Sequence, residues 1–206
     1  MRVLRLVWHG LALVGVAAIG GGAWFASQGV SSTATPGALE TRVARTARHL
    51  LIPAVARHRA NPVSESPLVL EVARAHWADH CASCHANDGS GQTAMGQRLY
   101  PKAPDMRLPA TQALSDGELF HIIEHGVKLT GMPAWGTGTP GSEQESWELV
   151  RFIRHLPSLS EDELAEMDEL NPRSRAEWQE LEDERRFLSG TLDVPDVPPH
   201  GVRHRP

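Results

Sequence analysis

Cysteine is nearly missing from this 206-residue chain: the two it has, Cys81 and Cys84, stand inside one five-residue run. No second cysteine pair is present to complete a thiolate zinc site, so histidines would have to supply every other ligand. Strand-like alternation and internal repeats are absent as well, which excludes sheet-based domains and repeat arrays and leaves an all-α reading. Charge is missing from Leu6 to Ala26, where His9 is the one ionisable residue. Between Glu40 and Arg59 acids are almost missing, with Glu40 facing Arg42, Arg45, Arg48, Arg57 and Arg59.

The run that holds both cysteines reads Cys81-Ala82-Ser83-Cys84-His85. Two thiols about one helical turn apart can add to the two vinyl groups of a haem, and the adjoining imidazole then falls beneath the iron. A thioredoxin-like redox pair is the competing reading, but it belongs at the start of a helix in a strand-helix-strand pattern, and none surrounds this run. One covalently attached haem c, with His85 as an iron ligand, is the leading expectation.

The uncharged stretch would span about 30 Å as a helix, the thickness of a bilayer core. Arg2 and Arg5 precede it, as a basic flank precedes both a signal peptide and an anchor. Its length and the bulky Trp24-Phe25 favour an uncleaved anchor over a peptide cut after Ala23. In either case the positive flank stays inside and the rest is exported, so the expected location is a bacterial inner membrane with the haem domain in the periplasm. Net charge is −5, and no nucleic-acid partner is expected. From Leu159 onward 13 acids face 6 arginines, which places the acid balance far from the anchor.

The chain divides by composition. Residues 1–28 form the anchor; residues 29–67 form a linker that includes a basic helix; residues 68–158 form the haem domain; residues 159–206 form an acidic tail. In the linker, Leu39, Val43, Ala47, Leu50 and Ala54 recur at helical spacing, with Pro53 set to bend or end the helix. Such a helix fits either an anionic lipid surface or the haem domain. The haem domain opens with a helix over 69–82 that carries Val69, Val72, Ala73, His76 and Trp77 on one stripe. A further helix is expected from Ser115, with Glu118 as capping-box partner, to Gly126, and another from Ser142 to Leu156, closed by Pro157. In the tail, Ser160 begins one helix and Ser174 to Leu188 a second; past Gly190 the prolines imply disorder. His200 and His204 there are read as incidental.

The order helix, CASCH, Gly-rich loop, YPKAPDM, SDGELFHIIEHG, LTGMPAW, SWELVRFIRHLP resembles a monohaem class I cytochrome c, in the small bacterial branch that pairs Cys-x-x-Cys-His with TGMPAW. The resemblance covers residues 68–157 and implies the class I cytochrome c fold. It also implies Met132 as sixth ligand, a soft neutral thioether that favours Fe(II). Met95, Met106 and Met167 are read as core or surface residues, and His76, His80, His121 and His125 as weaker rivals for the iron. The resemblance implies a proline carbonyl, from Pro101 or Pro104, as acceptor for the proximal imidazole N–H. Arg98, Lys102 and Arg107 are candidates for the haem propionates, and Trp135 for contact with the ring.

These readings point to a membrane-tethered electron carrier between redox protein partners, with no catalysis of its own. A haem-bearing subunit of an oxidoreductase and a gas or redox sensor are the alternatives.

Overall fold

The computed structural model describes residues 2–27, 29, 31–173 and 175–189. His200, His204 and Ser174 lie outside them, as does the stretch past Gly190. Among the described residues every regular element is helical. Helix α1 (Arg2–Ser27) contains the one helix window, Val7–Trp24, apolar and long enough to cross a membrane, and none of that window is buried against the rest of the chain.

Helix α2 (Ala38–Leu51) stops just before Ile52-Pro53, and the single turn α3 (Ala54–Arg57) follows. Proline cannot supply the N–H that would continue the helix, so the break falls where the sequence places it. Helix α4 (Pro67–His76) starts on Ser66, whose hydroxyl accepts from the Val69 N–H, and carries proline at its first position. It passes directly into a π turn over Trp77–Cys81 and then into α5 (Ala82–His85). One continuous helical path therefore delivers both cysteines and the histidine, with a local change of winding just before them.

The short α6 (Pro109–Gln112) had no signal in the sequence. Helix α7 (Asp116–His125) has the expected capping box between Ser115 and Glu118 and ends at Gly126, whose φ of 65° suits glycine. Helix α8 (Pro140–His155) begins two residues earlier than the periodicity predicts, because Thr139 caps it and Pro140 is tolerated at the first helical position. Helices α9 (Glu161–Leu170) and α10 (Arg175–Leu188) complete the order, with a second capping box at Ser160 and Glu163.

The core lies where α4, the π turn, α7 and α8 meet. Trp77, Val150 and Phe152 are buried there, and each such side chain contributes about 1.5–3 kcal/mol on leaving water. Trp147 stacks on Phe120 with centroids 4.0 Å apart, and the Arg59 guanidinium covers both rings. Residues expected to lie outside the haem domain pack on it at both ends. Before it, Ile52 is buried, the Ser115 hydroxyl donates to the Arg57 carbonyl, and Arg151 donates to the Val63 carbonyl. After it, Met167 of α9 is fully buried in the same core. Glu163 holds α9 down through His155 at 2.9 Å and Arg74 at 3.2 Å.

Candidate functional site

Cys81 and Cys84 are free, half-buried thiols. Burial first, and then the neighbouring Cys84, push the Cys81 thiol up to about 12. A catalytic redox pair needs the opposite, a thiol ionised near neutral pH, so the dithiol reading loses its chemistry. A protonated thiol of this kind is what S–H addition across a vinyl group consumes.

His85 follows at the end of α5. Burial holds its imidazole below the ordinary histidine value, so the ring is neutral and one nitrogen is a lone-pair donor. Its Nδ1 is buried and makes no hydrogen bond. The expected bond to Pro101 or Pro104 is therefore not formed. Gly91, held to the His85 carbonyl by its own N–H at 2.8 Å, lies hard against the Ala103 and Pro104 carbonyls. Gly91 has φ 71°, and a Cβ on it would meet the Ala103 oxygen at 2.5 Å. That close approach requires glycine.

The loop after the haem run bends back over it. The Thr93 hydroxyl donates to the Cys84 carbonyl at 3.2 Å, and Gly96 packs on that same carbonyl. Three residues on, the Leu99 side chain rests on Gly131, where a Cβ would come within 2.6 Å of it. The segment 93–99 thus bridges from the attachment cysteine to the residue beside Met132.

Met132 is half-buried in a loop tied to the end of α7. The Val127 N–H donates to the Met132 carbonyl at 3.1 Å, the Met132 N–H to the Thr130 hydroxyl at 3.1 Å, and the Trp135 N–H to the Ile123 carbonyl at 3.0 Å. The other described methionines have different surroundings. Met106 packs against the core, Met167 is inside it, and Met95 is exposed. Trp135 sets the edge of its ring against His80 with centroids 5.5 Å apart, so the Met132 loop reaches the attachment helix on this side too. His76, His80 and Trp135 line a groove of about 850 Å³ with Asp79 and Glu145. His121 and His125 stack on each other along α7, with centroids 4.2 Å apart.

Arg107 departs from its expected role. It donates to Asp105 through Nε at 2.9 Å and Nη2 at 2.8 Å, and to Asp88 through Nη1 at 2.8 Å. Its guanidinium is committed to two carboxylates, and it pins the end of the loop to the turn just after His85. Arg98 and Lys102 make no such pair and keep the propionate role open to them. The Asp88 contact, the Thr93 bond and the π turn escaped the sequence reading; only the adjacency of Asp105 and Arg107 was a local signal.

Two free half-buried thiols, a neutral half-buried imidazole and a half-buried thioether make a donor set that fits a covalently attached haem. Comparison with known proteins agrees. The family model described as cytochrome C oxidase, cbb3-type, subunit III matches residues 70–153, somewhat under half of the chain. No curated protein matches the chain. The match supports a c-type cytochrome domain, a haem-bearing electron-transfer unit with haem c and its iron.

Proposed function

We propose that this protein is a membrane-tethered, monohaem electron carrier of the class I type, its haem joined through Cys81 and Cys84 and its iron ligated by His85 and Met132. The observation that carries the reading is the run Cys81–His85: two half-buried thiols, the Cys81 thiol kept protonated by burial, beside a half-buried neutral imidazole on one helical path. When bound, the haem supplies an iron that gains and loses one electron without bond making.

The chain's own part is positional. The helical path through α4, the π turn and α5 fixes the two thioether sites and the proximal imidazole. Thr93, Gly96 and Leu99 carry the following loop from Cys84 to Gly131, and three backbone bonds aim the Met132 loop. The thioether favours Fe(II) over Fe(III) and so raises the potential. Arg98 and Lys102 are the candidates for the propionates, and Trp135 closes the side towards His80.

Tethering by α1 would hold the domain outside the cytoplasmic membrane, in the periplasm, at high effective concentration near membrane redox partners. The resemblance to subunit III of cbb3-type cytochrome C oxidase favours a second reading, in which the domain is the haem-bearing subunit of an oxidase complex rather than a free carrier. Isolation from native membranes in mild detergent separates the two: a carrier migrates alone, a subunit with its complex. The covalent assignment is tested by acid-acetone treatment, which should leave one haem per chain attached; loss of most of the haem would overturn it.

A further inference from the structure

The basic helix α2 is turned the wrong way round for a helix that serves only its own domain. At 100° per residue, Leu39, Val43 and Leu50 fall within about 40° of one another, and Thr41, Arg48 and Ile52 lie roughly opposite. The protein covers the second set. Ile52 is buried, Arg48 and Thr41 are half-buried, and the neighbouring His49 pairs with Glu118 at 2.8 Å while Tyr100 donates to Glu40. The apolar set faces outward: Leu39 is 75%, Val43 59% and Leu50 69% exposed. Such a contiguous apolar stripe on a helix marks a surface that something else covers.

We propose that this stripe lies in the interface of the anionic leaflet on the exported side of the membrane, pressing the haem domain against the bilayer in one orientation. The proposal rests on the reading of α1 as a spanning helix. Its occupant follows from position and charge. Residues 28–37 span at most about 40 Å, so α2 cannot leave the neighbourhood of the leaflet where α1 ends. Arg42 is exposed beside the stripe and Arg45 is exposed further round the helix, and acids are nearly absent from this part of the chain. An apolar stripe flanked by arginines is the composition that binds anionic lipid in the interface plane. Because the polar side is already bound to the haem domain, the helix couples that domain's tilt to the membrane.

The test uses the full haem-loaded chain in lipid nanodiscs, where haem attachment has consumed both native thiols and an introduced cysteine is the sole labelling site. Nitroxides are placed at Val43→Cys and, as reference, at Val14→Cys in α1, in discs of phosphatidylcholine with or without phosphatidylglycerol. The expected result is a Val43 label accessible to oxygen and shielded from a water-soluble nickel chelate. The oxygen-to-nickel ratio should be several-fold higher with phosphatidylglycerol, and Arg42→Gln/Arg45→Gln should remove most of that difference. A Val14 label in lipid with a Val43 label in water under both conditions overturns the proposal and leaves the anchor standing. A Val14 label in water means that the anchor itself is wrong. A Val43 label shielded from both reagents means that protein covers the stripe, which also overturns the proposal.

Discussion

The indole N–H of Trp77 donates to the carbonyl of Ala86 at 3.0 Å, closing a staple across the whole attachment run. Trp77 is buried, and its ring also meets His85 with centroids 5.8 Å apart. Ala86 meets the staple in a backbone conformation that L residues avoid, with φ 63° and ψ 161°. The run proposed to receive two covalent bonds is therefore held in shape by one indole and one strained residue.

Trp77→Phe should keep most of the packing and lose the hydrogen bond, at a cost of about 1–3 kcal/mol for the carbonyl left unsatisfied. Ala86→Gly should do the reverse. Relief of about 1–3 kcal/mol of strain exceeds the roughly 0.5–1 kcal/mol entropy cost of glycine, so the variant should gain about 1 kcal/mol. Denaturant unfolding of the haem-loaded protein measures both, and a destabilised Ala86→Gly would show that the turn is not strained.

What the sequence discloses depends on how local each cause is. The boxes at Ser115 with Glu118 and at Ser160 with Glu163 are closed within four residues, and both helices start there. Arg107 shows the opposite case. Its partner Asp88 lies 19 residues away, so a guanidinium in a haem loop reads as a propionate ligand until the fold brings the carboxylate to it. Met167 looked peripheral because nothing in an acidic helix announces that Glu163 will dock it on Arg74 and His155. The stripe on α2 was legible as a stripe; which side of the helix the protein covers was not.

Arg107→Ala should accordingly loosen the loop rather than retune the iron. Losing two partly exposed ion pairs costs on the order of 1 kcal/mol. The reduction potential should stay within a few millivolts of wild type, whereas a propionate partner would shift it clearly. Protein-film voltammetry beside a denaturation curve decides between these roles.

Glu163 predicts how docking of α9 responds to acid. Burial alone would raise its carboxyl, but the Ser160 N–H and hydroxyl and His155 outweigh it and hold the group at about 2. A carboxyl lowered in the folded state contributes stability above its unfolded value, and that contribution disappears as pH falls towards the folded value. Stability should therefore decline between about pH 4.5 and 2, and Glu163→Gln should flatten this limb. The same variant should cost about 1–2 kcal/mol at pH 7, discounted for partial exposure. An unchanged acid limb would show that other carboxylates govern it.

The anchor predicts fractionation. Full-length protein should stay in carbonate-washed membranes, with its haem domain open to protease from the outer side. A form starting near Ser31 behind a cleavable signal should be released as soluble haem protein once salt screens α2 from anionic lipid. A native N-terminus beginning after Ala23 would show that α1 is removed and the tether is absent.

Met132 carries the sharpest prediction, because the alternatives differ in environment as well as in sequence. Met106 packs against the core and Met167 is sealed within it, so both side chains already have a packing role. Met132 stands half-buried on a loop fixed at Val127, Thr130 and Trp135, beside a glycine that Leu99 covers from the direction of Cys84. If its sulfur binds Fe(III), the oxidised protein shows a weak sulfur-to-iron band in the far red, and Met132→Ala abolishes it. The potential of that variant should fall, since the lost thioether is the ligand that favours Fe(II). Met106→Ala should lose about 1–2 kcal/mol of stability, less than a fully buried methionine because Met106 is half-buried, and keep the band. A wild-type protein that lacks the band, and whose low-spin spectrum is lost on replacing His121 or His125 but not on Met132→Ala, would move the sixth ligand to α7 and leave the TGMPAW loop as packing.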